Sequence, residues 1–186
     1  MRLGFIVLLL IGIGAAQANV HINPGEHSSR MTEYRQVVGN YCRLDYDGAR
    51  LSPTGWDRIK GLTIWRENPD FKRIVIVNRY EVLPDTSNAR GHVVYTIQYD
   101  VSGEYDLVGG YFPGPTTSTV QIEVGDSNGD ARILDLAEQH PFVGRFRFQQ
   151  WLQQKINAET DPGTKAVLQS SLQRFQDQVR KPASGQ

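Results

Sequence analysis

The chain has 186 residues, in which 20 lysines and arginines balance 20 aspartates and glutamates, and Cys42 is its single cysteine. This near-neutral charge argues against a nucleic-acid partner or an anionic membrane surface, because both select strongly basic faces. One cysteine excludes an internal disulfide, so the stability of the fold has to come from packing.

The first eighteen residues have the pattern of an export signal. Arg2 precedes an almost unbroken apolar run from Leu3 to Ile13, and Ala16 and Ala18 form the A-x-A ending that signal peptidase accepts. This run is shorter than the roughly 20 apolar residues that span a bilayer. We therefore expect cleavage after Ala18 and a periplasmic or secreted mature chain of about 168 residues, without a membrane anchor and the size of one domain.

The mature chain is expected to begin with a flexible arm over residues 19–28, which lack an apolar rhythm. An α+β domain over residues 29–142 then opens with an amphipathic helix that is capped by Ser28 or Ser29 and ends at Gly48. The apolar residues of this helix recur at three- and four-residue steps: Met31, Tyr34, Val37, Val38, Tyr41 and Leu44.

A second, short helix and two strands are predicted next. Ser52 and Pro53 form a helix cap and a first-turn pair. β-Branched residues predict a strand at Lys72–Leu83, and alternating apolar residues predict another at His92–Val101. The segment Ser102–Pro115 is glycine-rich and predicts a short strand with an ordered loop.

A hairpin and further helices complete the chain. Strands at Thr116–Val124 and Ala131–Leu136 are expected to be joined by a tight turn at Gly125–Asp130. Helices are expected within residues 143–180, followed by a disordered tail at 181–186. The apolar stripes of these helices are Phe148, Trp151, Leu152 and Ile156 in the first, and Leu168, Leu172, Phe175 and Val179 in the second.

This order of elements predicts an α+β fold in which N-terminal helices pack on a curved antiparallel sheet, with additional C-terminal helices. Its most informative segments are the helix Tyr34–Leu51 with its ending Asp47-Gly48-Ala49-Arg50-Leu51, the short helix around Trp56, the strand Arg73–Val82 and the hairpin that ends in Arg132-Ile133-Leu134-Asp135-Leu136. Over residues 30–136 the chain resembles the nuclear-transport-factor-2-like (cystatin-like, SnoaL-like) superfamily. The helices after Phe142 exceed the pattern of that superfamily.

The resemblance implies a conical sheet whose mouth is filled by helices and which leaves an internal pocket. Some members of the superfamily are enzymes, such as dehydratases and isomerases acting on small apolar molecules, and many others only bind or assemble. The fold alone therefore does not choose between an enzyme and a binding module.

Several aspartates are candidates for acid–base work, which requires a carboxylate in an apolar cavity that moves its pKa towards neutrality. They are Asp45 and Asp47 near the end of the first helix, Asp100 at a strand end and Asp135 in the last strand. Of these, Asp135 and Asp100 are weak candidates, and we assign no catalytic residue. Asp135 is expected to share one strand face with Ile133, or simply to point to solvent.

Four strand tyrosines are candidate ligand-binding residues: Tyr80, Tyr95, Tyr99 and Tyr111. Their hydroxyl groups could donate hydrogen bonds to a ligand in a pocket, although aromatic residues on strands also serve simply as core. Cys42 has no histidine placed beside it by any pattern and is expected to be a small buried residue of the first helix.

Metal and cofactor patterns are weak. Asp126, Asn128 and Asp130 alternate like the first ligands of an EF-hand, but Ala131 and Ala137 stand where a glycine and a bidentate glutamate are needed. A hairpin turn explains the same residues. No H-E-x-x-H, C-x-x-C or P-loop pattern occurs, so we predict neither a metal nor a cofactor.

Two functional hypotheses follow. The first is an exported module without catalytic activity that binds a small apolar ligand or a protein partner, with a homodimer as one form of assembly. The second is a cofactor-free lyase or isomerase with a buried aspartate as base and a tyrosine as hydrogen-bond donor. We prefer the first, because no acid–base pair is specified by spacing. An aspartate that faces an enclosed cavity together with a tyrosine hydroxyl would favour the enzyme.

Overall fold

Helices flank a curled sheet in the computed structural model, which describes residues 24–83, 86–87 and 92–180. The helices are α1 (Pro24–Tyr46), α2 (Pro53–Ile59), α3 (Arg145–Ala158) and α4 (Pro162–Arg180), with 3-10 turns at Ala49–Leu51 and Lys60–Leu62. The strands are β1 (Arg73–Val82), β2 (Thr86–Ser87), β3 (Val93–Asp106), β4 (Gly110–Ser127), β5 (Asp130–Leu136) and β6 (Phe142–Gly144). The predicted α+β class, with a cone-like sheet between N-terminal and C-terminal helices, is confirmed.

The sheet forms a half-barrel with the strand order β5-β4-β3-β1-β6, and β2 pairs with β3. Most neighbours are antiparallel, but β6 runs parallel to β1 through the pairs Val75 with Phe142 and Val77 with Gly144. The sheet is therefore mixed, whereas the sequence predicted a wholly antiparallel one. Strand β6 is three residues long and too short to show an alternation of apolar and polar residues. The sequence placed its residues at the boundary between the α+β domain and the C-terminal helices.

The concave face of the sheet packs against α1 and α2. The helices contribute buried side chains at Tyr34, Val38, Tyr41, Leu44, Trp56 and Ile59, and the strands contribute Val75, Val77, Tyr95, Ile97, Tyr99, Val120, Ile122, Val124 and Ile133, among others. The predicted cap of α2 is confirmed, since Ser52 Oγ accepts a hydrogen bond from Gly55 N at 3.1 Å. A Cβ atom at Gly55 would lie 2.1 Å from the carbonyl oxygen of Ala49, so only glycine fits there.

A second core lies on the opposite face of the sheet, beneath α3 and α4. Its buried residues are Ile74, Ile76, Tyr105, Tyr111, Val143, Phe148, Leu152, Ile156 and Phe175. The uninterrupted apolar run in β1 is explained by these two cores, because alternate residues of the strand point to opposite faces and both faces are covered. The predicted stripe of α4 includes Val179, which is 43% exposed and lies at the rim of this core.

A one-residue slip at Ser102 lets β3 serve both cores. The pairing of β1 with β3 shifts there, so that Val101 faces α1 while Tyr105 faces α3 and α4. Without the slip these two odd-numbered residues would share one face of the sheet. The hydroxyl of Ser102 donates a hydrogen bond to the carbonyl oxygen of Ile76 at 3.1 Å, which holds the irregular position.

The glycine-rich segment 102–115 differs from its prediction. It is not a loop but the turn and flanking strand ends of the β3–β4 hairpin, with Asp106 Oδ1 accepting hydrogen bonds from Val108 N and Gly109 N at 2.8 Å each. Pro113 and Pro115 lie in β4, where the strand pairs with β3 alone among the described residues. Proline is tolerated there because an edge strand does not need every N–H group.

The start of α1 and the turn of the β4–β5 hairpin also differ from their predicted positions. Helix α1 begins at Pro24, ahead of the predicted Ser28 or Ser29 cap, so residues 24–28 of the predicted arm are helical. The predicted β4–β5 hairpin is present, but its turn is shorter than the predicted Gly125–Asp130, because only Asn128 and Gly129, with φ angles of 55° and 89°, lie between the paired strands.

The predicted signal, residues 1–18, the first part of the arm, 19–23, and the tail, 181–186, lie outside the described residues. Within the described part of the chain, no helix is both long enough and apolar enough to cross a membrane.

The second core predicts a large difference between two residues of α4. Phe175 is 1% exposed, and Phe175→Ala should lower the free energy of unfolding by about 3–5 kcal/mol, because it leaves a cavity between α4 and the sheet. Val179→Ala, at the 43% exposed rim of the same core, should cost much less, about 0.5 kcal/mol. Urea unfolding of both variants measures the difference, and equal small losses would show that α4 does not stabilise the fold.

Candidate functional site

Asp135 lies on the solvent-exposed side of β5. Val124 pairs with Ile133 and Glu123 with Asp135, so Leu134 is an extra residue and forms a bulge. The bulge separates Ile133, which is buried, from Asp135, which is exposed, and the prediction that they share a strand face is wrong. The carboxylate accepts a local hydrogen bond from Leu136 N at 2.8 Å and faces no enclosed space.

Asp100 also lies on the polar side of the sheet. Its carboxylate accepts a hydrogen bond from Asn78 Nδ2 at 2.9 Å and lies 3.4 Å from Arg79 Nε. It borders an open depression of about 630 Å³, whose other lining residues are Arg79, Tyr80, Glu81, Gln98 and Thr117. This surface is open and polar, so it lacks the apolar enclosure that would activate a general base.

The four candidate tyrosines do not share a pocket. Tyr95 and Tyr99 are buried in the core under α1, where Tyr99 stacks on Phe142 with ring centroids 4.1 Å apart, and Tyr80 is half-buried at the edge of that core. Tyr111 is buried on the other side of the sheet, where its hydroxyl hydrogen-bonds Gln178 of α4. The expectation of one tyrosine-lined pocket therefore fails: Tyr95, Tyr99 and Tyr111 serve as core, and Tyr80 also lines the open depression beside Asp100.

The structure instead buries Asp45, at the end of α1, which is 1% exposed. Asp45 Oδ2 accepts a hydrogen bond from Phe142 N at 3.0 Å. Asp45 Oδ1 has no hydrogen-bond partner, and no other buried side-chain oxygen or nitrogen of the described residues shares this state. An unpaired buried carboxylate oxygen is costly and rare, which makes Asp45 the candidate that the structure favours over Asp100 and Asp135.

Burial shifts the titration of the groups around Asp45. It raises the pKa of Asp45 to about 6, although the positive charge of Arg50 and the hydrogen bond from Phe142 N act in the opposite direction. Burial also raises the pKa of the Cys42 thiol to about 12, and it raises the pKa of Tyr41 and Tyr99. These three neighbours are therefore uncharged near neutral pH, and Asp45 alone changes its charge there.

The positive charge near Asp45 belongs to Arg50, which is also 1% exposed. Its guanidinium donates to Asn68 Oδ1 at 3.1 Å, to Gln139 O at 2.5 Å, to Pro69 O at 3.5 Å and to Tyr41 Oη at 3.4 Å. The side chain of Asn68 returns a hydrogen bond to Arg50 O at 2.8 Å. Arg50 thus ties α1 to two loops that are distant in sequence.

This buried polar cluster, Asp45 with Arg50, Tyr41 and Tyr99, can act in two ways. A carboxylate with a pKa of about 6 and a free oxygen is suited to accept a proton from a substrate. However, all four side chains are at most 3% exposed, and the N–H groups of Arg50 already donate to acceptors within the protein. The geometry therefore resembles a structural anchor more than an open catalytic centre.

Sequence reasoning had one signal for Asp45. Tyr41, Leu44 and Asp45 are spaced so that they share one helix face, which places the carboxylate in the buried stripe. The role of Arg50 had no such signal, because its partners Asn68 and Gln139 lie 18 and 89 residues away along the chain.

A second feature is a surface groove of about 450 Å³ between the 3-10 turn after α2 and the β4–β5 hairpin. We call it the basic groove. It is lined by Lys60, Thr63, Ile64, Trp65, Arg66, Ser127, Asn128 and Arg132. Its lining contains three cationic side chains and no carboxylate, together with an indole ring and an aliphatic side chain.

The same hairpin contains a match to a catalytic sequence motif that sequence reasoning missed. Gly125-Asp126-Ser127-Asn128-Gly129 fits G-x-S-x-G, the pattern of a serine nucleophile elbow. In that elbow the serine sits between a strand and a helix, whereas Ser127 ends β4 just before the turn to β5. The match is therefore a hairpin turn and gives no support for a serine hydrolase.

Two of the EF-hand-like residues, Asp126 and Asp130, are held by neighbouring side chains. Asp126 Oδ1 accepts a hydrogen bond from Tyr34 Oη at 3.0 Å and lies 3.3 Å from Arg30 Nε. Asp130 Oδ2 accepts a hydrogen bond from Arg132 at 3.0 Å. In the part of the chain that the structure describes, no group of three or more histidine, cysteine, aspartate or glutamate side chains is arranged to hold a metal ion.

Comparison with known proteins adds no assignment for this site. No protein-family model matches the chain, and no curated protein matches it. The function has to be argued from the geometry of the buried polar cluster and of the basic groove.

The raised pKa of Asp45 makes stability depend on pH. Because the folded-state pKa of about 6 lies above the ordinary value of 3.8, the folded protein holds this proton more tightly. The contribution of Asp45 therefore favours folding most below about pH 4 and is lost as the pH rises through 6. The full change is about 3 kcal/mol, since each pKa unit corresponds to ~1.4 kcal/mol.

Asp45→Asn should remove this dependence, because an amide does not ionise while its oxygen can still accept from Phe142 N. We expect the stability of Asp45→Asn relative to the parent protein to increase by about 2–3 kcal/mol between about pH 4 and 7.5, as measured by urea unfolding. Asp135→Asn, at an exposed carboxylate, is the matched control and should leave the pH profile unchanged. Parallel profiles for Asp45→Asn and the parent would contradict the assignment.

Proposed function

We propose that the protein is an exported binding module without catalytic activity, which holds a small ligand at its surface. One observation supports this proposal above the others. The concave side of the sheet, where an enzyme of this architecture would keep its cavity, is filled by side chains that include Tyr41, Tyr95, Tyr99 and Phe142, each at most 4% exposed. Asp100 and Asp135, by contrast, face solvent on the other side.

The open sites of the described surface are suited to binding more than to catalysis. The basic groove is large enough for a small molecule, since ligand pockets start at about 300 Å³. Parts of its floor are held by main-chain hydrogen bonds, such as Ile64 N to Ile133 O at 3.1 Å. A rigid surface of this kind binds without paying a large ordering cost.

We also propose membership of the nuclear-transport-factor-2-like superfamily. The support is the order of elements and the cone-like sheet with α1 across its concave face. Some members of that superfamily bind or assemble without catalysis, and a sheet whose concave side is filled by side chains fits that kind of function. A protein partner or a homodimer remains an alternative form of the binding function.

The cofactor-free lyase or isomerase is kept as a second candidate because of Asp45. Its unpaired Oδ1, its pKa of about 6 and the nearby hydroxyls of Tyr41 and Tyr99 match the acid–base pair of that hypothesis. It would require α1 or the loop before β6 to move so that a substrate could reach the carboxylate. That movement has no support in the packed surroundings of Asp45, so the binding module is preferred.

The exported location rests on the signal pattern of residues 1–18 and is tested by the N-terminus of the protein made in bacteria. We expect the mature chain to be recovered outside the cytoplasm with Asn19 as its first residue. Edman sequencing of the protein from the extracytoplasmic fraction gives the answer. Replacing Ala16 and Ala18 by bulky residues should block processing, and a chain that keeps Met1 in the unaltered protein would refute export.

The absence of catalysis is tested by mass spectrometry of small molecules retained by the protein from cell extract. We expect a retained molecule to be released from the parent protein and from Asp45→Asn with the same mass and in similar amount. If the parent protein converts that molecule on incubation while Asp45→Asn retains it unchanged, the enzyme hypothesis replaces the binding module. If neither protein retains any molecule, the small-ligand function is wrong.

A further inference from the structure

The basic groove combines cationic side chains with apolar ones. Its three cations come from separate segments: Lys60 from the 3-10 turn, Arg66 from the following loop and Arg132 from β5. Lys60 and Arg132 are paired with Asp57 and Asp130, which lie outside the lining, so the excess positive charge of the groove is that of Arg66. Such a surface attracts anions.

Two of the three cations are held by the protein. Arg132 donates hydrogen bonds to Gly61 O at 2.9 Å, to Thr63 O at 3.4 Å and to Asp130 Oδ2 at 3.0 Å. Lys60 donates to Asp57 at 2.6 Å. These bonds fix the two positive charges at the rim of the groove.

Arg66 differs from these two cations. Within the described part of the chain, its exposed guanidinium has neither an ion-pair nor a hydrogen-bond partner. Its main chain, however, is anchored, because Trp56 Nε1 donates a hydrogen bond to Arg66 O at 3.2 Å. The residue therefore combines a fixed backbone with a free bidentate donor, which is the arrangement that recognises a carboxylate or sulfonate group.

Apolar side chains lie beside this charge. Ile64 is 47% exposed, and Trp65 is half-buried and packs against the core under α1. The loop that carries them is held by the hydrogen bond from Thr63 Oγ1 to Trp65 O at 3.3 Å. An indole ring and an aliphatic side chain next to the guanidinium of Arg66 fit a flat apolar body with an anionic group.

We propose that the basic groove binds a small organic anion with an aromatic or otherwise flat apolar body, whose acidic group is held by Arg66. This inference rests on the proposed binding function and names the ligand class and the place where the ligand is held. Arg66 supplies the recognition of the anion, and Ile64 and Trp65 supply the contact with the apolar body. Ser127 and Asn128 provide polar groups at the hairpin side of the groove.

Benzoate is a simple probe of this class, and it can be followed through the ¹H–¹⁵N signals of the Trp65 indole and of the Ile64 amide. We expect saturable shifts at both signals with benzoate and much smaller ones with benzyl alcohol, which keeps the ring but lacks the charge. Arg66→Gln should weaken benzoate binding about tenfold or more, because it removes a charge-assisted hydrogen bond. Ile64→Ser should weaken it as well.

Arg174→Gln is the matched control, since it removes an exposed cation from α4, which packs on the opposite face of the sheet. It should leave benzoate affinity unchanged. The proposal is overturned if benzoate does not shift Trp65, if Arg66→Gln binds as tightly as the parent protein, or if benzyl alcohol binds as well as benzoate. Equal affinity for inorganic phosphate would likewise overturn it, because the apolar contacts would then add nothing.

These results are separable from those that test the proposed function. If benzoate fails to bind while a molecule is still retained unchanged from cell extract, the assignment to the basic groove is wrong and the binding module stands. If a retained molecule is converted in an Asp45-dependent way, the non-catalytic function is wrong, whatever benzoate does at Trp65.

Discussion

An extra residue at Ser102 of β3, with a second shift of the β1–β3 pairing at Asn78, determines how the two helical layers are placed on the sheet. Because the pairing slips at Ser102, one strand can present apolar side chains to α1 near its beginning and to α3 and α4 near its end. A regular strand of this length would have placed Tyr105 on the same side as Val101. The two helical layers therefore cover opposite faces at different ends of the sheet, and the polar remainder of the second face is left to solvent.

The buried polar cluster has a different part in this arrangement. The C-terminal end of α1 has to be joined to the loop at Asn68 and to the segment before β6, and apolar contacts alone do not fix such irregular main chain. Arg50 satisfies carbonyl oxygens in both segments, while Asp45 accepts the N–H of Phe142. The charge of Arg50 only partly offsets the burial of Asp45, whose carboxylate accepts its hydrogen bond from Phe142 N.

Much of the fold could be predicted from the sequence, because most elements bury a face with a clear period. The stripe of α1, the alternation of β3 and the cap at Ser52 all follow from local rules and are confirmed. Strand β6 is three residues long and has no period to detect. The bulge at Leu134 separates Asp135 from the face of Ile133 and leaves it exposed, which was one of the two expected placements, and such a change of register depends on the partner strand and leaves no mark in one sequence.

The candidate site was less predictable for the same reason. Asp45 could have been found from its position in the buried stripe of α1, whereas the basic groove joins segments about sixty residues apart in sequence, at Lys60–Arg66 and Ser127–Arg132.

The prolines of β4 also have a consequence for assembly. Pro113 and Pro115 lie along the free edge of an 18-residue strand and cannot donate hydrogen bonds to an incoming strand. This part of the β4 edge is therefore unsuited to the addition of another strand.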